Sequence, residues 1–96
     1  MLDKKNFYIN GKWIEPKNPK NIDVIDPSNE EVCAVISLGS KQDIDLAVSS
    51  AKKAFSTWGF SQKEERIKLL EKLYELYKKR WSDIAKAITL EMGAPK

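Results

Sequence analysis

Histidine is absent from the 96-residue chain and cysteine occurs once, at Cys33. These two shortages exclude a disulfide within the chain and a zinc site built from Cys and His ligands, because both need several such side chains. A single reduced cysteine fits a reducing compartment. Glycine is almost as sparse. Gly11, Gly39, Gly59 and Gly93 lie far apart, so no glycine-rich loop can bring several backbone N–H groups onto a pyrophosphate. Arginine occurs only at Arg66 and Arg80, and the densest basic run is Lys78-Lys79-Arg80. Lysines scattered in this way read as solvated helix faces rather than a groove for nucleic acid, which would interleave them with Arg and exposed aromatics. No apolar run approaches membrane-spanning length. Met1 to Asn6 lacks the apolar core of a signal peptide and carries an early acid at Asp3. The expectation is a cytoplasmic protein with neither a nucleic-acid nor a membrane partner.

What the chain does have is 42% hydrophobic and 32% charged residues, with a net charge of +3, enough for one small domain and well away from the composition of disorder. A domain of this size buries only about 60 to 65% of the surface its unfolded chain exposes, so it would be marginally stable alone.

The first third has strand character. Phe7-Tyr8-Ile9 and Lys12-Trp13-Ile14 flank Asn10-Gly11, the pair that most readily adopts the positive φ angles of a type I′ hairpin turn. A polar loop from Glu15 to Asn21 follows, punctuated by Pro16 and Pro19, which cannot donate to a ladder. Ile22 to Ile25 and Glu31 to Ile36 then form a second strand pair around Asp26-Pro27-Ser28-Asn29-Glu30, in which Asn29 is the residue suited to a left-handed conformation.

At Ser40 the hydrophobic period changes from two to 3.6. Ser40 with Asp43 approximates a capping box, and Ile44, Ala47, Ala51, Ala54 and Trp58 share one face of a helix ending before Gly59. Its alanines imply close packing. Ser61 with Glu64 makes a second capping box, opening a helix with one apolar row at Ile67, Leu70, Tyr74 and Tyr77 and another at Leu69, Leu73 and Leu76. Ser82-Asp83 can cap a third helix, stopped by Gly93 and Pro95. Two short hairpins offer too little area to cover three broad apolar helix faces, so something else should cover the remainder.

Among candidate functional residues, Cys33 is the one good neutral-pH nucleophile. It sits mid-strand among Val32, Ala34 and Val35 without an activating base or cation in sequence, which points to a small buried side chain. The pairs Glu64-Glu65 and Asp43/Asp45 fall at helix N-termini, where negative charge is favoured. Glu91 lies in a last helical turn, where an acid is disfavoured, so either exposure to solvent or a bound cation would account for it.

Taken in order, Ile9-Asn10-Gly11-Lys12-Trp13, Asp26-Pro27, the Ala47/Ala51/Ala54-Phe55 stripe ending at Trp58, and Leu90-Glu91-Met92-Gly93-Ala94-Pro95 resemble the N-terminal segment of the aldehyde dehydrogenases. The resemblance runs from about Phe7 to Pro95. Asp26 stands where Asn is usual, Glu30 where a turn glycine is common, and Ala94 where Lys is common before Pro95.

The resemblance implies an α+β segment, residues 1–96, with a strand region at about 7–36 and a helical region at about 41–93, which in that family buttresses the dinucleotide-binding domain. It implies that the complete enzyme oxidises an aldehyde to a carboxylic acid with NAD or NADP, and that the nucleophile, base and oxyanion donors come from residues after Lys96. The chain alone is then non-catalytic, with no catalytic or cofactor-binding residue of its own. The resemblance also implies a partial site for a monovalent cation at the backbone carbonyls of Val24 and Ile25 and the side chain of Glu91. The expected partners are the remainder of an aldehyde dehydrogenase chain or further copies of this one. The alternative is a stand-alone, non-catalytic helical module that self-associates or binds a full-length enzyme.

Overall fold

A computed structural model describes residues 1–95; Lys96, the last residue of the expected segment, lies outside the described residues. Five strands precede three helices: β1 (Leu2–Lys4), β2 (Phe7–Ile9), β3 (Lys12–Ile14), β4 (Lys20–Asp26), β5 (Glu31–Leu38), α1 (Lys41–Trp58), α2 (Lys63–Lys79) and α3 (Trp81–Met92). This is the α+β order expected.

The hairpin of β2 and β3 forms where the turn chemistry puts it. Asn10 and Gly11 have φ of 54° and 75°, the positive pair a type I′ turn requires. Tyr8 faces Trp13 across the ladder with ring centroids 5.1 Å apart. The second sheet has strand order β1-β5-β4. β4 and β5 are antiparallel from Lys20 opposite Leu38 to Asp26 opposite Glu31, so both strands run one to two residues beyond the sequence expectation. β1, which pairs in parallel with β5, was not expected at all. A register shift between Val24 and Ile25 sets Val24 opposite Ala34 but Ile25 opposite Val32, leaving Cys33 as the extra residue of a bulge.

The β4–β5 turn corrects one expectation. Glu30, not Asn29, takes the left-handed conformation, with φ of 60°. Asn29 instead uses its side-chain oxygen to accept from the Glu31 N–H at 3.0 Å, and the Glu30 N–H donates to the Asp26 carbonyl at 2.8 Å. A left-handed non-glycine residue is strained. Glu30→Gly should therefore raise stability by about 0.5–1 kcal/mol, the relieved strain less the entropy glycine loses on folding. Thermal unfolding checks this, and an unchanged or lowered midpoint would contradict it.

α1 begins as expected, with the reciprocal Ser40–Asp43 capping box. α2 does not. Its N-cap is Gln62, without a side-chain cap, because the Arg66 guanidinium reaches back to donate to the Ser61 carbonyl and hydroxyl oxygens. The proposed Ser61–Glu64 box is thereby displaced. α3 also starts early, at Trp81, with the single residue Arg80 separating it from α2. Asp83 sits 3.8 Å from the Arg80 guanidinium rather than capping the helix.

Little of this is covered. Among the described residues the only buried hydrophobic one is Ala34, at 6% exposure. The chain has a radius of gyration of 17.1 Å and extents of 48 × 36 × 16 Å, against about 12.5 Å for a compact domain of this length. Its accessible surface is 8368 Å², where a compact monomer of 11.0 kDa would show about 5,600 Å². Only about 48% of the surface of the unfolded chain is buried, short of even the marginal value expected. The alanine stripe of α1 is correspondingly loose: Ala47 is half-buried, while Ala51 and Ala54 remain exposed beside the hairpin turn. No helix among the described residues is long and apolar enough to cross a membrane.

Candidate functional site

Two polar constellations stand out. One lies at the start of α1, where Asp43 is only 3% exposed. Its Oδ1 accepts from the Lys17 backbone N–H at 2.9 Å. Its Oδ2 accepts from the Ser40 N–H and the Ser40 hydroxyl, each at 2.9 Å. The Lys17 amide, with the Ser40 amide next, holds the Asp43 carboxyl below its ordinary value of 3.8, since donors to a carboxylate favour its ionised form. Local spacing reveals the Ser40–Asp43 pair. It cannot reveal Lys17, which lies 26 residues away and belongs to the loop that Asp43 pins down.

The other constellation lies where the end of α3 meets the β4–β5 turn. α3 packs on β4. At Gly93, its left-handed C-cap with φ of 75°, a Cβ would fall 3.1 Å from Pro27 Cγ. The fold therefore brings the last turn of α3, which carries Glu91, to the same end of the sheet as Val24 and Ile25. Glu91 is exposed and Val24 half-buried.

The Val24 carbonyl accepts from the Cys33 thiol at 3.4 Å. This is a half-buried thiol engaged as a donor at a bulge, in keeping with a structural cysteine, although less covered than expected. Next to Ile25, Asp26 accepts from the Ser28 hydroxyl at 2.7 Å and the Ser28 N–H at 2.9 Å. The hydroxyl first, then the N–H, lowers its carboxyl below 3.8, adding a firmly ionised group. Asp26 was not a site candidate from sequence, though Asp-Pro-Ser is a recognisable turn signal.

Among the described residues there is no cluster of three or more His, Cys, Asp or Glu side chains able to hold a metal. The donors at this end are carbonyl and carboxylate oxygens, which suit a hard monovalent cation.

With this geometry in view, similarity to known proteins becomes specific. The model of the aldehyde dehydrogenase family matches residues 13–96. A 3-succinoylsemialdehyde-pyridine dehydrogenase from a Pseudomonas species is 43% identical over 95 residues, covering 99% of this chain and 20% of that protein. A crystal structure of an aldehyde dehydrogenase from Bartonella henselae is 57% identical with a TM-score of 0.97, again over 99% of this chain and 20% of that one. The structure of aldehyde dehydrogenase C from Pseudomonas syringae, complexed with NAD+ and octanal, is 41% identical with a TM-score of 0.91 over 94% of this chain and 19% of its own. The chain thus spans about a fifth of the length of these relatives.

Proposed function

The chain belongs to the aldehyde dehydrogenase family, and from that premise we propose that it serves as the N-terminal part of an oxidoreductase that converts an aldehyde to a carboxylic acid. The observation that carries this reading is likeness over essentially the whole chain, 57% identity at a TM-score of 0.97, to the corresponding part of an aldehyde dehydrogenase. NAD+ is the cofactor we assign to the complete enzyme, in keeping with the NAD+ complex of the Pseudomonas syringae relative. The cytoplasm is the location that the lone reduced cysteine suits best.

The role of these 96 residues is then scaffolding. The nicotinamide cofactor supplies the hydride acceptor when bound, and the residues that handle substrate lie in the rest of the enzyme. What this chain contributes chemically is the cation site: the Val24 and Ile25 carbonyls and the Glu91 carboxylate would hold a monovalent cation, with ionised Asp26 adding negative potential nearby. Such an ion would tie the end of α3 to the β4–β5 turn.

The test is a graft. This chain replaces the first fifth of the Bartonella enzyme, and reduction of NAD+ is followed with an aldehyde that the parent enzyme oxidises. Activity comparable to the parent is expected, whereas a folded graft without activity would overturn the reading. In the same graft, replacing tetramethylammonium by sodium or potassium should raise the melting temperature by a few degrees, as expected of a ligand that binds only the folded state. Glu91→Gln should remove most of that gain. An unchanged gain in the variant would remove Glu91 from the site.

A further inference from the structure

The β2–β3 turn holds the only Asn-Gly pair in the chain, and its backbone is disposed for a reaction of the chain with itself. The backbone nitrogen that follows an asparagine can attack the side-chain amide carbon and close a five-membered succinimide ring. Closure brings Cβ, Cγ and that nitrogen close to one plane with Cα and the carbonyl carbon. For an L-residue this requires ψ near about −120°, the value at the first central residue of a type II′ turn, the mirror image of type II. Asn10 already has the φ that types I′ and II′ share, at 54°. Passing from one type to the other needs only a flip of the peptide between Asn10 and Gly11, which changes ψ of the first residue and φ of the second. Gly11, now at φ of 75°, tolerates either sign of φ. Both turn types close a two-residue hairpin, so the ladder from Phe7 opposite Ile14 to Ile9 opposite Lys12 can stay paired through the flip.

The surroundings leave room for it. Asn10 and Gly11 are both exposed, and a Cβ added at Gly11 would meet nothing within 4 Å. The other asparagines are worse placed. Asn18 precedes Pro19, whose nitrogen has no proton to lose. Asn21 lies in β4 opposite Ser37 and precedes the β-branched Ile22. Asn29 holds the Glu31 N–H on its side-chain oxygen at 3.0 Å, and Asn6 precedes the bulky Phe7.

We propose that Asn10 is a self-modification site, at which the Gly11 nitrogen displaces the side-chain amide and leaves aspartyl and isoaspartyl forms of the chain. Hydroxide removes the Gly11 amide proton, the bond from that nitrogen to Asn10 Cγ forms, and the Cγ–Nδ2 bond breaks. The departing nitrogen takes a proton from water and leaves as ammonia. Water then opens the ring without any change of oxidation state. Cleavage between the Gly11 nitrogen and Cγ gives an ordinary aspartyl residue, whereas cleavage at the main-chain carbonyl carbon gives an isoaspartyl linkage that runs through Cγ. The isoaspartyl form has one more backbone atom in a loop whose length selects the turn type, so it unties Ile9 from Lys12. This chemistry is independent of aldehyde oxidation.

The test uses the folded graft on the Bartonella enzyme, incubated at neutral and mildly alkaline pH. Peptide mass mapping follows the exchange of NH2 for OH at each asparagine, and methylation by an isoaspartyl carboxyl methyltransferase counts the isoaspartyl product. Conversion at Asn10 should rise with pH and run no more than roughly ten-fold slower than in the same graft unfolded in guanidinium chloride, a factor equivalent to about 1.4 kcal/mol between the two turn arrangements. Exchanging the pair, Asn10→Gly with Gly11→Asn, keeps glycine where a type II′ turn favours it and should remove the product. In the isoaspartyl form, amide hydrogen exchange at Ile9 and Lys12 should accelerate. An Asn10 that survives in the folded graft while the unfolded graft reacts would overturn the proposal, because the type I′ turn would then be locked. So would equal conversion at Asn21 or Asn29 in the folded graft, or an aspartyl product without isoaspartyl, which would mean hydrolysis without the ring. Unchanged exchange at Ile9 and Lys12 would overturn the untying of the hairpin.

Discussion

Asp43→Ala should release the loop of residues 15–19 from α1, with amide hydrogen exchange at Lys17 and Ser40 accelerating roughly ten- to hundred-fold, the range for losing a hydrogen bond to a charged acceptor. The size follows from how many groups this carboxylate satisfies. The Lys17 amide, the Ser40 amide and the Ser40 hydroxyl all donate to it, and it is almost wholly covered. Ser40→Ala removes only one of those donors and one cap, a cost of about 1 kcal/mol, and should leave Lys17 protected. The same carboxylate sets a pH dependence of definite sign. Its pKa is lower folded than the ordinary 3.8, so its contribution is complete above that value and declines as pH falls through the lowered one. Lys17 protection should hold steady from neutral pH down to about 4 and fall only below it. Asp43→Ala should abolish that acid-side step, and an unaltered step in the variant would assign it to another group.

Why some of this is legible in the sequence and some is not can be traced to range. Asn10-Gly11, the Ser40–Asp43 box and Gly93 act on their own neighbours, and each specifies its turn or helix end without help from the rest of the chain. β1 leaves no such trace. Leu2 to Lys4 has no alternation, and its parallel pairing with β5 lies more than thirty positions away. The displaced start of α2 is a competition between local signals, in which a long arginine side chain donates to the Ser61 hydroxyl that the capping box needs as an acceptor. The turn at Glu30 inverts a residue preference, because Asn29 is more useful as a side-chain acceptor than as a left-handed residue. The cation residues follow from the family resemblance. From the amino acids alone only Glu91 was conspicuous, as an acid at the negative end of a helix dipole. Backbone carbonyls carry no signature in a sequence, and the approach of α3 to β4 exists only in three dimensions.

Gly93→Ala should destabilise the graft onto the Bartonella enzyme in urea unfolding by at least the cost of placing an L-residue in the left-handed region, about 1–2 kcal/mol. Two separable causes contribute. The backbone at Gly93 has φ of 75°, and its N–H closes the helix on the Thr89 carbonyl at 2.9 Å. Independently, an added Cβ would stand 3.1 Å from Pro27 Cγ, so that Pro27 or the end of α3 must give by a few tenths of an ångström. Gly93→Asn should recover part of the first cost, because Asn tolerates a left-handed backbone, but none of the second. Combining Pro27→Ala with Gly93→Ala should recover the second and not the first. The steric component also acts on the proposed cation site, since Glu91 is two residues before the glycine and Val24 and Ile25 immediately precede Asp26, the last residue of the strand leading into Pro27. Gly93→Ala should therefore shrink the stabilisation by sodium or potassium, and Pro27→Ala in the same chain should restore it. If Gly93→Ala lowers stability while the cation response stays at its parent value, the left-handed cap is needed for the helix alone and the site does not depend on how α3 meets the turn.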